Sequence, residues 1–329
     1  MKRHYVIIRA GILAVVMAVG LAGSARAVDS QPADVVKTEA VEPGMSAWQA
    51  VVLGVVEGLT EYLPVSSTGH LILAQHFMGL NAEAADGEAA KDAADAYAIC
   101  IQIGAILAVL GLYMGRVKQM GRGLLGRDRE GKRLARNIVL GFIPAAVIGL
   151  LLNDLIKEYL FGGDRWGMWP IVAAWFVGGA AILWIGWAHK EKFPPEGNEI
   201  ERLTAKAALI IGFIQCIAMW PGVSRSLVTI VGGVLVGLSL PAAVEFSFLL
   251  GVVTLGAATC YDGLKHGGAM LELYGPTSLI VGMLAALISA VIAVKWMVAY
   301  LNRHGLSIFG YYRVALAIVV TVLLLMKVL

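Results

Sequence analysis

Charged residues are scarce in this sequence, and their scarcity limits the kind of protein that it can encode. They make up 15% of the 329 residues, whereas 59% of the residues are hydrophobic. A soluble domain of this size needs a larger charged surface, and apolar runs this frequent are typical of helices that cross a bilayer. The formal net charge is only +3, which gives no argument for a nucleic-acid partner. The composition therefore predicts an all-α polytopic membrane protein.

Cysteine is also rare, and its spacing indicates neither a metal site nor a redox pair. Cys100, Cys216 and Cys260 lie far apart in apolar runs and form no CxxC motif. Cysteines in such surroundings behave as small hydrophobic residues. Glycine, in contrast, is abundant, with 39 residues, as expected where membrane helices pack closely.

The first 27 residues have the features of an export signal. Three cations stand before an apolar run, and Ala25-Arg26-Ala27 follows it. This order predicts a signal peptide over residues 1–27 with an A-x-A cleavage site, and an uncleaved first helix is the alternative. Residues 28–45 are polar and predict an exported N-terminal tail. A single membrane domain then occupies residues 46–329.

Residues 57–70 concentrate polar groups within an apolar part of the chain. Ionisable groups at membrane depth cost several kcal/mol, so they indicate function. Glu57 and Glu61 are four residues apart, which puts both carboxylates on one helix face. Together they could bind a divalent cation, Mg2+ or Ca2+, along with a substrate phosphate, or one of them could act as a base. Pro64 then ends the helix.

Three adjacent hydroxyls follow Pro64, where a new helix would begin. Ser66 is expected to cap this helix, whose free N–H groups would then form a seat for an anion. Ser67 would face the phosphate as nucleophile, and Ser66 and Thr68 would help to bind it. A serine needs a base to take its proton, and His70 and Glu61 are both candidates. The alternative mechanism is direct attack by a metal-bound water, with Ser67 only holding the phosphate.

A shift of 158 residues reveals a weak internal repeat that aligns Ser67 with Arg225. In each copy two short apolar arms flank a polar break, and arms this short are too small for full spans of about 20 residues. They predict two re-entrant helical hairpins. With three crossings between them, the hairpins would enter from opposite faces as an inverted-topology repeat. The first repeat would cover about residues 46–152 and the second about residues 205–329, joined by a linking helix over residues 169–187.

About six transmembrane helices accompany the two hairpins. The basic segment 116–136 predicts a cytoplasmic loop by the positive-inside rule, and the charged segment 189–206 is placed on the same side. The acidic segment 79–96 and residues 261–275 are predicted to be outer loops. The predicted spans are residues 97–114, 137–152, 169–187, 241–260, 276–298 and 310–329.

Arg225 lies in an apolar run and needs an anionic partner there. The planar fork of a guanidinium suits a phosphate group. The alternatives are that the side chain reaches an interface or pairs with a distant glutamate. Ser224, Ser226 and Thr229 share its segment and are predicted to bind the substrate with it.

Residues 57–70 and the segment Pro221-Gly222-Val223-Ser224-Arg225-Ser226 with Thr229 resemble the two signature motifs of the bacterial undecaprenyl-diphosphate phosphatases, the bacitracin-resistance family. The resemblance extends from about residue 46 to the C-terminus. It implies removal of one phosphate from undecaprenyl diphosphate, which recycles the lipid carrier for cell-wall synthesis. It also implies a divalent cation, Mg2+ or Ca2+, and a site in the inner membrane that opens to the periplasm. The catalytic residues that it implies are Glu57, Glu61, Ser67, His70 and Arg225.

A different class of function remains open at this point. Inverted repeats with broken helices are typical of transporters, so the same residues could serve a polyprenyl-phosphate transporter or flippase. Phosphate release by the purified protein would separate the two functions. The expected partners are the lipid substrate and the bilayer, with a homodimer as a further expectation and no nucleic acid.

Overall fold

The structure is a computed structural model, and it describes residues 45–80, 88–160, 167–188 and 197–329. The predicted signal peptide over residues 1–27 and almost all of the predicted polar tail over residues 28–45 lie outside the described residues. Both therefore stay predictions. The same holds for residues 81–87 of the acidic segment and residues 189–196 of the charged one.

The described part of the chain is built of helices, as the composition predicts. Its only β-type pairing is an isolated bridge between Asn198 and Leu238. The α-helices are α1 (Ala47–Thr60), α2 (Ser67–Phe77), α3 (Glu88–Leu112), α4 (Met114–Leu124), α5 (Arg129–Leu160), α6 (Trp169–Ala188), α7 (Ala205–Gln215), α8 (Arg225–Leu235), α9 (Leu240–Leu301) and α10 (Ser307–Leu325), with short 3-10 helices at Ile200–Arg202 and Cys216–Met219.

The number of membrane spans agrees with the prediction of about six. Within the described ranges, 5 helical segments are long and apolar enough to cross a bilayer. A sixth span results if the last part of α3 and the helix α4, which meet at a bend of 77°, are counted as one. The chain is therefore a multi-pass membrane protein.

Two pairs of short helices form the predicted hairpins. Helices α1 and α2 have 14 and 11 residues, and α7 and α8 have 11 each. At about 1.5 Å per residue even α1 is only about 21 Å long, whereas the hydrocarbon core is about 30 Å thick. We call residues 61–66 the first break and residues 216–224 the second break. With the bent pair of α3 and α4 counted as one span, three spans separate the hairpins, an odd number, which is consistent with entry from opposite sides.

The basic segment 116–136 is mostly helical, which corrects its prediction as a loop. Helix α4 and the start of α5 occupy most of it. The positive-inside rule reports the side of the membrane and not the backbone conformation, and lysine and arginine favour helices. Pro144 lies inside the following span, and α5 continues through it. Neighbouring helices can satisfy the one backbone group that a proline leaves free.

The predicted outer loop over residues 261–275 is also helical. Helix α9 runs without interruption from Leu240 to a single kink at Gly275, where φ is 71° and ψ is 156°. Glycine adopts this left-handed conformation readily, and Pro276 then starts a helix well because its φ is already fixed. The two predicted spans are therefore present, but they are joined by helix and a kink instead of a loop.

The two breaks meet between α9 and the pair formed by α6 and α10. On one side Phe248 of α9 packs edge-on against Tyr62 of the first break, with ring centroids 5.2 Å apart. On the other side Trp175 of α6 and Ala317 of α10 belong to a buried cluster that also contacts Leu73 of α2. Both breaks are thus enclosed by long helices, which hold their polar groups away from lipid.

Candidate active site

The carboxylate of Glu61 joins the two breaks. Ser67 Oγ donates a hydrogen bond to Glu61 Oε2 at 2.5 Å, and Arg225 Nη2 donates to Glu61 Oε1 at 3.1 Å. The side chains of Arg225 and Glu61 are only 10% and 6% exposed. Charge-assisted hydrogen bonds in such surroundings are short and strong. The structure therefore brings together three residues that the sequence predicts to act together.

Arg225 has a carboxylate partner, Glu61 of the opposite hairpin. The alternative that it pairs with a glutamate distant in sequence is therefore confirmed. The guanidinium also donates from Nη1 to the carbonyl of Ser247 at 3.1 Å and lies over the ring of Tyr62, 5.1 Å from its centroid. A Cβ at Gly251 of α9 would collide with the guanidinium, so that glycine provides its space. Arg225 Nε has no hydrogen-bond partner within the described residues.

Ser66 is at the N-cap position of α2, but the prediction that its side chain caps this helix is wrong. Its φ is 74° and its ψ is 104°, and its hydroxyl makes no capping hydrogen bond. A capping side chain normally requires an extended backbone, which Ser66 lacks. A non-glycine residue with this φ costs about 1–3 kcal/mol, and such residues cluster at active sites. The unusual turn directly precedes Ser67, whose hydroxyl reaches Glu61.

His70 is held by two partners, neither of which is Ser67. Its Nδ1 is 2.6 Å from the carbonyl oxygen of Ser66, and its Nε2 is 2.7 Å from the hydroxyl of Tyr312. A carbonyl can only accept, so Nδ1 carries a proton, and in the neutral ring Nε2 accepts from Tyr312. Of the two candidate bases, Glu61 and not His70 contacts the Ser67 hydroxyl.

Glu57 is buried in α1, with 1% of its surface exposed. Its Oε1 has no hydrogen-bond partner among the described residues. This oxygen, the carboxylate of Glu61 and the hydroxyl of Ser67 are oxygen donors, the type of ligand that hard cations take. The described residues contain no group of three or more His, Cys, Asp or Glu that could hold a metal ion. The donor set therefore fits Mg2+ or Ca2+ only when substrate phosphate completes the coordination, as is common for Mg2+.

The predicted substrate-binding hydroxyls occupy different positions. Thr68 is exposed at the start of α2. Ser224 and Ser226 both donate to the carbonyl of Leu63 in the first break, at 3.3 and 2.8 Å. Thr229 donates to the carbonyl of Arg225 and lies 2.6 Å from the hydroxyl of Ser247. The last three therefore tie the second hairpin to its surroundings, and their contact with substrate stays a prediction.

Three residues around the site were not found by sequence reasoning. Trp175 donates from Nε1 to the carbonyl of Val65 at 3.1 Å, Tyr312 binds His70, and Arg313 is completely buried beside the breaks. The argument that singled out Arg225, a cation in an apolar run, applies equally to Arg313. An indole or a phenol in a membrane span gives no comparable signal.

Comparison with known proteins identifies the family. A sequence model described as bacitracin resistance protein BacA matches residues 50–319. The chain is 44% identical over 274 residues to an undecaprenyl-diphosphatase of Sorangium cellulosum, covering 83% of this chain and 85% of the relative. It is 42% identical over 275 residues to an undecaprenyl-diphosphatase of Aquifex aeolicus, covering 84% and 97%. The chain belongs to the bacitracin resistance protein BacA family.

Proposed function

We infer that this protein hydrolyses undecaprenyl diphosphate to undecaprenyl phosphate and inorganic phosphate. The reaction recycles the lipid carrier for cell-wall synthesis and gives resistance to bacitracin. The relatives named undecaprenyl-diphosphatase cover most of the chain. The observation that carries the inference is the chain of contacts from Ser67 through Glu61 to Arg225. These contacts bring a hydroxyl, a carboxylate and a guanidinium together in one buried site, as the proposed reaction requires.

The proposed reaction begins with attack by Ser67 Oγ on the terminal phosphorus of the diphosphate. Glu61 takes the hydroxyl proton, because its carboxylate already accepts that hydrogen bond. The bond from phosphorus to the bridging oxygen breaks, and undecaprenyl phosphate leaves with the electron pair. Water then hydrolyses the phosphoserine to release inorganic phosphate. Direct attack by water, with Ser67 holding the phosphate, is the competing mechanism.

Arg225 is proposed to bind the diphosphate and to stabilise charge in the transition state. Its Nε has no hydrogen-bond partner in the part of the chain that the structure describes, and its pairing with Glu61 leaves the guanidinium at the meeting point of both hairpins. A fixed cation aimed at developing negative charge is the main device of phosphoryl transfer. When substrate binds, the guanidinium can exchange one carboxylate contact for phosphate oxygens and so free Glu61 to act as a base.

Glu57 and Glu61 are proposed to hold a divalent cation, Mg2+ or Ca2+, together with the diphosphate. Such an ion neutralises phosphate charge when it is bound. The orphan Oε1 of Glu57 supports this assignment. His70 is proposed to shape the turn at Ser66 by holding its carbonyl. A homodimer remains a prediction, which the mass of the protein–detergent complex would check.

The decisive experiment measures phosphate release by the purified protein in detergent. Without a membrane there is no second compartment, so a transporter or flippase would release no phosphate from undecaprenyl diphosphate. We expect release that depends on a divalent cation and stops with a chelator. Absence of release, with folding verified, would contradict the inferred hydrolysis and favour transport.

The site is proposed to open to the periplasm from the bacterial inner membrane. Basic residues of α4 and α5 support a cytoplasmic location for that end of the molecule by the positive-inside rule. In a Cys260→Ser background, Leu264→Cys, at a position that is 90% exposed on the side of the kink in α9, should react with an impermeant thiol reagent in intact spheroplasts. Arg127→Cys, between α4 and α5, should react only after lysis. The reverse pattern would overturn the orientation.

A further inference from the structure

Arg313 is a buried cation whose hydrogen-bond partners within the described residues are all backbone carbonyls. It lies in α10 with 0% of its surface exposed. Its Nη1 donates to the carbonyl of Pro64 at 3.4 Å, and its Nη2 donates to the carbonyls of Ala174 at 2.8 Å and Gly222 at 3.1 Å. No carboxylate within the described residues forms an ion pair with it. Its charge is therefore offset by peptide dipoles.

The three carbonyls belong to three separate parts of the fold. Pro64 is in the first break, Gly222 is in the second break, and Ala174 is in α6. Burying a cation at membrane depth is costly unless groups of this kind surround it. In membrane proteins with broken helices, unwound carbonyls and the ends of half-helices commonly coordinate a free cation. In this protein the guanidinium of Arg313 occupies a carbonyl site of this kind.

A glycine gives the guanidinium access to α6. A Cβ at Gly178 would come within 2.6 Å of Arg313 Nη2. Gly178 lies one turn after Ala174, on the same side of α6, so its missing side chain opens the approach to the Ala174 carbonyl. The three carbonyl oxygens and the space left by Gly178 thus together accommodate the guanidinium of Arg313.

The neighbouring residue of α10 also contacts the first hairpin. Tyr312 binds His70, which in turn holds the carbonyl of Ser66. Two consecutive residues of α10 therefore fix the first break, and Arg313 alone reaches the second break as well. The distance from Ser67 and Glu61 to Arg225 depends on how the two breaks are held.

We propose that Arg313 is a positioning residue, a tethered cation in a carbonyl site formed by both breaks and α6, which sets the catalytic distance between the hairpins. It contacts no reacting atom. This inference rests on the proposed hydrolysis, but the carbonyl site itself can be tested without substrate.

The first test replaces the tethered cation by a free one. Arg313→Ala leaves a space lined by three carbonyls, into which guanidinium ion fits. The test uses guanidinium chloride at about 1–10 mM, far below denaturing concentrations. We expect it to raise the thermal unfolding midpoint of purified Arg313→Ala above the midpoint measured in the same concentration of sodium chloride. The parent protein should show no rise. Phe309→Ala is the matched control, because it opens a buried space one turn earlier on α10 without these carbonyls.

The second test measures turnover per folded molecule. A displacement of about 1 Å between reacting groups can cost about 100-fold in rate, so we expect kcat of Arg313→Ala to fall by about that factor. KM should change much less, because Arg225 still binds the diphosphate. Guanidinium should restore kcat in a saturable way. Arg313→Lys retains the charge but not the forked donors, and its kcat should lie between those of the parent and Arg313→Ala.

Several outcomes would overturn the proposal. Parent-like kcat per folded molecule in Arg313→Lys or Arg313→Ala would show that the guanidinium with its forked contacts does not set the catalytic distance. A midpoint of Arg313→Ala that guanidinium does not raise would show that no cation site exists. If Arg313→Ala does not fold, the comparison of kcat and KM in Arg313→Lys decides. A parent protein without any phosphate release would instead contradict the proposed function, and the midpoint measurement would still test the carbonyl site.

Discussion

The two breaks have related sequences but different conformations and different proposed roles. The shift of 158 residues aligns Ser66 with Ser224, yet only Ser224 caps its helix, by accepting from the backbone N–H of Leu227 at 3.3 Å. Ser224 has an extended backbone with φ −72° and ψ 123°, whereas Ser66 has φ 74°. The second break therefore follows the ordinary rule for a helix start, and the first does not. The departure occurs where a hydroxyl must turn toward a carboxylate.

The chemistry divides between the breaks in the same way. The shift aligns Glu61 with Met219 and Glu57 with Gln215, so only the first hairpin carries carboxylates in this register. The second contributes Arg225 and two serine hydroxyls, which donate to Leu63 of the first break. This division fits the proposal that one hairpin reacts while the other holds phosphate and supports its partner. Each of the following predictions tests one part of that division.

The largest effect is expected for Ser67→Ala, which removes the proposed nucleophile from the first break. Removing a nucleophile commonly costs several orders of magnitude in rate, so we expect turnover to fall by at least about 1,000-fold. Phosphate release from undecaprenyl diphosphate measures it. Ser278→Ala is the control, a buried serine whose hydroxyl binds the carbonyl of Met45, away from both breaks. More than about a tenth of the parent rate, or no phosphoserine trapped at low pH, would favour attack by water.

Glu61→Gln preserves the shape of the side chain and removes the proposed base and the partner of Arg225. General base catalysis contributes about 100- to 10,000-fold, so a loss in that range is expected. Met219→Leu, at the aligned position of the second break, should change the rate little. Glu57→Gln should chiefly weaken stimulation by the divalent cation. Metal-stimulated activity that survives in both glutamine variants would leave these carboxylates only a structural role.

Arg225→Lys keeps the charge of the second break and removes its forked donors. A lysine cannot both bind phosphate in two places and reach Ser247, so we expect a loss of about 10- to 100-fold in kcat/KM. Steady-state kinetics in detergent measures this loss. Arg127→Lys, exposed between α4 and α5, provides a control for the same exchange. Near-normal turnover in Arg225→Lys would refute the proposed role of the fork.

The sequence predicts most of the architecture because membrane spans and broken helices follow from composition and from proline. The hairpin arms, the approximate number of spans and the cluster of Ser67, Glu61 and Arg225 were all expected. Helical continuity was not, because nothing in residues 261–275 marks how far a helix extends beyond the hydrocarbon core. The contacts of His70 and Arg313 could not be predicted either. They depend on α6 and α10, which are distant in sequence and carry no polar pattern that aligns them with the breaks.

The conformation of Ser66 shows the same limit, because sequence gives the position of a cap but not its φ. A serine after Pro64 and Val65 satisfies the ordinary rule for a helix start, as Ser224 does after Pro221 and Val223. Only Ser224 has the extended backbone that turns a hydroxyl back onto its own helix. The carbonyl of Ser66 is held by His70 of the same helix, and His70 is itself held by Tyr312 of the distant helix α10.

The smallest predicted effect compares the two aligned serines directly. Loss of a capping side chain costs about 0.5–2 kcal/mol, so Ser224→Ala should be destabilised by about 1 kcal/mol or more, since it also loses its bond to Leu63. Ser66→Ala removes no cap and leaves φ unchanged, so its unfolding midpoint should stay closer to that of the parent. Thermal unfolding of both variants in the same detergent measures the difference. An equal or larger loss in Ser66→Ala would mean that its hydroxyl stabilises the start of α2 after all, and the contrast between the breaks would then lie in their charges alone.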